Sequence, residues 1–233
     1  MGGETPIDAV AARSALAWWL QAGVDVAIRE EPRNWLSPAV PMPEPFPDPA
    51  PLEQAPDTLR FFQAWLAESR SLPGAVSDGR RVLPMGAEAA PVMLLADIPS
   101  AEDAVSSRPI GGDSWTLAQR MLEAIGISPS DAYVASLSVF HAPGDSLGDS
   151  EIAAWSDIAR RHVALARPKR LLLLGNGPSK ALLGKVVARA RAHVHKVEGV
   201  RTVATFHPRT LLKMPARKAD AWRDLLLLME DEA

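Results

Sequence analysis

The stretch RLLLLGNG, residues 170–177, sets four consecutive leucines against a Gly-Asn-Gly stop. A continuous apolar run this short, bounded by turn residues, predicts a strand buried on both faces. Such a strand needs helices above and below its sheet, and the rest of the chain supplies the alternation. PVMLLAD (91–97) and AYVASLSV (132–139) read as two further strands, and RTVATFH (201–207) as a fourth. Between them lie stretches of helical period. In 58–68, Leu59, Phe62 and Leu66 share a face. A helix started by Ser114 turns Trp115, Ala118, Leu122 and Ile125 inward and ends at Gly126. In 151–166 the inward set is Ile152, Trp155, Ala159, Val163 and Ala166. Residues 178–183 and 221–230 complete the helices, and Trp115, Trp155 and Trp222 fall on core-facing stripes. The expected fold is α/β, a three-layer αβα domain around a central four-stranded, mostly parallel sheet.

This pattern starts only after residue 56. Residues 8–29 have helical spacing in Val10, Leu16, Trp19 and Leu20, and residues 37–56 hold eight prolines without periodicity. The expected organisation is a helical extension over 1–36, a Pro-rich tether over 37–56 and the α/β domain over 57–233. No basic n-region precedes an apolar core at the start and no apolar run is long enough to span a bilayer, so a cytoplasmic location is expected. The chain has no cysteine, which excludes disulfides, thiolate catalysis and sulfur-ligated metal centres. His193 and His195 share a strand face, but no carboxylate pattern accompanies them, so neither a metal nor a cofactor is expected.

Charge is unevenly distributed. Residues 1–159 carry 9 Lys/Arg against 22 Asp/Glu, whereas residues 160–218 carry 15 Lys/Arg against Glu198 alone. A basic block of this size fits a local patch for a polyanion, or charge spread to offset the acidic part. In a parallel sheet, ligands bind beyond the carboxyl ends of the strands. Those ends bring Asp97, Ser136, Gly175 with Asn176, and His207 to one edge. Neither a P-loop nor a GxGxxG is present.

Several segments, in order, resemble the uracil-DNA glycosylase superfamily, and specifically its bacterial iron–sulfur branch, family 4. ADIPSAED with RPI (96–103, 108–110) is similar to that family's first motif, GEAPG followed by ED and RPF. YVASLSVFHAP (133–143), RPKRLLLLG (167–175), ALLG (181–184) and HPRTLLK (207–213) follow in family order. The resemblance runs from about residue 91 to 227. It implies a DNA repair glycosylase, expected as a monomer acting on DNA without membrane or metal, that hydrolyses the N-glycosidic bond of uracil or a related deaminated base. It implies catalytic roles for Asp97 and His207, substrate contacts from Ile98, Pro99, Ile110, Ser136 and Asp103, and DNA contacts from Arg209, Lys213 and Arg217. Leu211 is implied as the wedge filling the space that an extruded base leaves.

The departures from the family are equally specific. Its cluster-ligating cysteines are missing, and Phe140 and Trp155 stand at two of their positions. The motif glutamate is Asp97, the base-stacking phenylalanine is Ile110, the base-reading asparagine is Ser136, and the Ser or Ala after His-Pro is Arg209. His141 could enter the pocket in compensation, or remain a loop histidine in solvent. Asp103 could assist catalysis, or only cap a helix. These replacements leave a second reading open, a catalytically degenerate member that binds DNA or a protein. A third is a small-molecule N-glycoside hydrolase.

Overall fold

The computed structural model describes residues 56–74, 80–141 and 147–230. The helix expected over 8–29, and all of the Pro-rich tether except Pro56, lie outside the described residues.

Helix α1 (Leu59–Glu68) begins at Thr58, whose hydroxyl accepts from the Phe61 amide. Strand β1 (Met93–Ala96) leads into α2 (Ala101–Ser106) and α3 (Gly112–Ala124). Then come β2 (Tyr133–Ser136), α4 (Asp149–Ala166), β3 (Arg170–Leu174), α5 (Asn176–Leu183) and α6 (Val187–Ala190). The chain closes with β4 (Val194–Val197), β5 (Val200–Thr205), α7 (Pro208–Lys213) and α8 (Lys218–Met229). The sheet order is β2-β1-β3-β5-β4. Its first four strands run parallel, in a register that aligns Ser136, Ala96, Leu174 and Thr205.

The expected three-layer α/β architecture is present, with one strand more than the four read from the sequence. β4 pairs antiparallel with β5 at the edge. Its VHKV is largely exposed and lacks the apolar run that marks the other strands, so hydrophobicity alone did not separate it from a loop. Helix α3 starts at Gly112 with Gly111 as its cap, two residues before Ser114.

Single-residue alternation along the strands builds the two halves of the core. Leu171 and Leu173 of β3 join Leu95, Tyr133, Phe62, Trp155 and Val163 on the α1/α4/α5 side. Leu172 and Leu174 join Leu94, Val134, Leu122, Val203, Leu225 and Leu228 on the α3/α8 side. Four leucines without a polar partner are therefore required, since both faces of β3 are covered. Each such side chain contributes about 1.5–3 kcal/mol on burial. Trp155 is buried as expected and Trp115 half-buried. Trp222 is 42% exposed, because α8 turns Ala221, Leu225 and Leu228 inward instead. Among the described residues no helix is long and apolar enough to cross a membrane.

Candidate active site

The local sequence around His207 leaves its backbone little choice. A residue before proline is restricted to extended conformations, and proline suits the first position of a helix. His207 accordingly caps α7 in extended geometry, and its ring Nδ1 accepts from the Arg209 amide at 3.1 Å. An Nδ1 that accepts carries no proton, so the neutral ring holds its hydrogen on Nε2. That Nε2 is buried and has no partner among the described residues. Burial, reinforced by the nearby Arg209 charge and opposed by Asp103, lowers the imidazole pKa to about 3. His207 is thus a neutral donor at any physiological pH, with its N–H unspent.

Asp97 stands beside it. Gly175, at φ +103°, separates the two: a methyl group there would lie 2.9 Å from Asp97 Oδ2 and 3.5 Å from His207 Cβ. Gly177 makes room likewise, since a Cβ on it would overlap Asp97 Oδ1. The Gly-Asn-Gly stop of β3 therefore admits the carboxylate as well as ending the strand. Asp97 accepts from its neighbour Ile98 N at 3.1 Å and from Gly177 N, at the start of α5, at 3.3 Å. Burial raises its pKa, while these amides and Arg209 pull the other way.

Asp103 takes the structural of the two readings open for it. Its Oδ2 accepts from Ser100 N (2.8 Å), Ser100 Oγ (2.7 Å) and Arg209 Nη2 (3.0 Å), and its Oδ1 from Gly111 N (2.6 Å). Four donors saturate the buried carboxylate, which closes the capping box of α2 and ties the Pro99 loop to the Ile110 turn. Arg209 is drawn inward by this pair, with 27% of its side chain exposed, and does not project freely toward a phosphate.

Ser136 ends β2 on the same sheet edge, in register with Ala96. Its hydroxyl is also buried without a partner among the described residues. Two strands separate β2 from β5, so Ser136 stands about 14 Å along the edge from Thr205. Ile98 and Pro99 are buried beneath the first loop. Ile110 is buried in the α3/α8 half of the core and lines a cleft of about 320 Å³ with Met85, Trp115, Gln119 and Val134. That cleft includes none of Asp97, Ser136 and His207. His141 is exposed, with its Nδ1 at 2.9 Å from the Pro99 carbonyl oxygen.

The wedge assignment needs correction. Leu211 is only 1% exposed and packs in an apolar cleft with Leu117, Met121 and Leu225. Withdrawing it would uncover a full leucine side chain, at about 2 kcal/mol. Leu212 and Met214 are the exposed apolar side chains of this segment. Helical spacing on α7 could have revealed this, since Leu211 lies one turn after His207 and faces the core with it. Lys213 is exposed, whereas Arg217 pairs with Asp220 and lies over the Phe206 ring.

The segments that form this edge have counterparts in known proteins. The sequence pattern of the Uracil DNA glycosylase superfamily matches residues 83–226. The chain belongs to that superfamily. A type-4 uracil-DNA glycosylase of Pyrobaculum aerophilum is 22% identical over 147 residues, covering 58% of this chain and 75% of the relative. One from Archaeoglobus fulgidus is 22% identical over 142 residues, covering 56% and 71%. The iron–sulfur cluster implied by resemblance to family 4 does not fit the residues of this superfamily member. Thiolate ligands are absent from the sequence. Phe140 and Trp155, which the resemblance sets at two of the ligand positions, are buried with their rings edge-on at 6.4 Å, and Arg81 lies over Phe140 at 5.1 Å. Among the described residues no group of three or more His, Cys, Asp or Glu side chains could hold a metal ion.

Proposed function

We propose that this superfamily member hydrolyses the N-glycosidic bond of uracil, or of a related deaminated base, in DNA. The observation that carries this reading is the buried, neutral His207, whose Nε2–H lacks a partner among the described residues and whose Cβ stands across Gly175 from Asp97. In the reaction the C1′–N bond breaks and its electron pair leaves with the base. The negative charge collects on a ring carbonyl oxygen, which accepts from His207 Nε2–H, a donor already oriented before the charge develops. Asp97 steadies the positive charge on the sugar and orients the water whose oxygen bonds to C1′. That water delivers a hydroxyl to the sugar and a proton to the base, leaving an abasic site and the free base. Deamination converts an amino group into a carbonyl, so a donor-only histidine suits a deaminated base. Ser136 supplies one rotatable hydroxyl for the rest of the base edge. Lys213 contacts the DNA backbone, and the exposed Leu212 takes the wedge role, since Leu211 is committed to the core.

The test is incubation with single- and double-stranded oligonucleotides carrying one uracil, followed by alkaline cleavage. Strand scission at the uracil position is expected, and its absence at enzyme excess sinks the reading. Salt-sensitive DNA binding by such an inactive wild type, persisting in His207→Ala, would instead point to a binding module.

A further inference from the structure

Arg209 occupies a position where an exposed cation would be a simple phosphate contact, yet its surroundings are of another kind. Its guanidinium bonds a carboxylate whose side chain is 4% exposed, and that carboxylate is itself held by Ser100 and Gly111. A buried anchor with four donors fixes the guanidinium in one place, unlike the mobile charge of a surface arginine. The backbone of the same residue donates to His207 Nδ1. Its charge reaches both His207 and Asp97. Next to His207 the site therefore holds one neutral donor and an inward guanidinium whose charge is partly offset by the Asp103 carboxylate at 3.0 Å, with Asp97 across Gly175 as a second anion.

We propose that Arg209, held inward by Asp103, is a catalytic residue of this site: its guanidinium stabilises the negative charge that collects on the departing base, in concert with His207 Nε2–H. This rests on the glycosylase reading and deepens it by assigning part of the charge-stabilising role to a second side chain beside His207. Asp103 is the positioning residue that keeps the guanidinium turned away from the phosphates. A fixed cation contributes most when the leaving base is a poor anion, so the dependence on leaving-group acidity separates this role from a structural one.

The experiment compares wild type, Arg209→Ser and Arg209→Lys under single-turnover conditions, on DNA carrying uracil or the more acidic 5-fluorouracil. Affinity for the same DNA is measured across a salt series. In Arg209→Ser the uracil rate is expected to fall on the order of 10²-fold. The fall should be clearly smaller for 5-fluorouracil, and the salt slope of binding should not change. Arg209→Lys keeps the charge but loses the fork geometry, and should recover part of the uracil rate. Equal losses on both bases would overturn the proposal, as would an unchanged rate with a salt slope reduced by about one. A wild type active on uracil beside an equally active Arg209→Ser overturns the arginine assignment alone. A wild type inactive on both bases removes the glycosylase reading, and the arginine assignment falls with it.

Discussion

The two ends of one sheet edge differ in how much of their polar chemistry is constrained. At the β3/β5 end, the Asp97 carboxylate is cradled by two glycines, His207 has its tautomer set by a backbone amide, and Arg209 is pinned to a buried carboxylate. At the β2 end, Ser136 presents a hydroxyl without a partner among the described residues, and Ile110 lines a separate cleft. Under the proposed glycosylase reading, the first end is preorganised for bond cleavage, whereas the second has little with which to read a base. A hydroxyl can rotate to donate or accept, so it tolerates several base edges where an amide would select among them. The contrast predicts an enzyme with weaker discrimination than its chemistry would require.

The largest effect should come from the constrained end. His207→Ala removes the oriented donor and should lower the single-turnover rate on uracil DNA by about 10²–10³-fold, with DNA affinity nearly unchanged. Asp97→Asn should sharpen the pH comparison. Burial holds the Asp97 pKa above the ordinary carboxylate range, while His207 stays neutral until about pH 3. The acid limb of the wild-type rate should therefore report Asp97, and Asp97→Asn should flatten it. A limb that survives this substitution would reassign the titration.

A smaller effect is expected at the permissive end. Ser136→Asn restores an amide with a paired donor and acceptor, and should raise the preference for uracil over other bases by about tenfold, corresponding to about 1.4 kcal/mol. An unchanged preference would mean that Ser136 does not meet the base. A last effect bears on folding and leaves the reaction aside: stability in acid. His207 and His162 are both buried with pKa values lowered to about 3. A depressed histidine pKa means that the unfolded chain binds the extra proton, so stability is complete above about pH 6.5 and declines as the pH falls toward 3. The slope should reach about 1.4 kcal/mol per pH unit for each histidine. Urea titrations at stepped pH would read it, and His162→Gln should halve it. His162 serves the core alone, paired with the Tyr133 hydroxyl at 2.7 Å and with its ring tilted against Phe62 at 5.0 Å.

The parallel strands and helices α1, α3, α4, α5 and α8 were legible because each carries a periodic or continuous apolar signal, whereas the short helices α2, α6 and α7 lack one. The edge strand β4 was not, since it is half-exposed and its pairing depends on β5. The same division holds at the site. His-Pro specifies a capped helix start through backbone sterics, so the place of His207 follows from two adjacent residues. The correspondence of Asp97 with His207 followed from strand ends, but their separation by Gly175 needed the register of three strands. Leu211 and Arg209 were both read as reaching outward to DNA, and tertiary packing turned both inward.

The sequence by itself determined the alternation of elements, the edge at which chemistry gathers and the lack of thiolate ligands, because these rest on local backbone preference, apolar period and composition. Only the tertiary structure decided the pairing of Asp103 with Arg209, the approach of Asp97 and His207 across Gly175, and the packing of Leu211 with Leu117, Met121 and Leu225. Each of those depends on a partner from another element. The Asp103–Arg209 ion pair joins residues 106 apart in the chain, a separation that no local pattern can read.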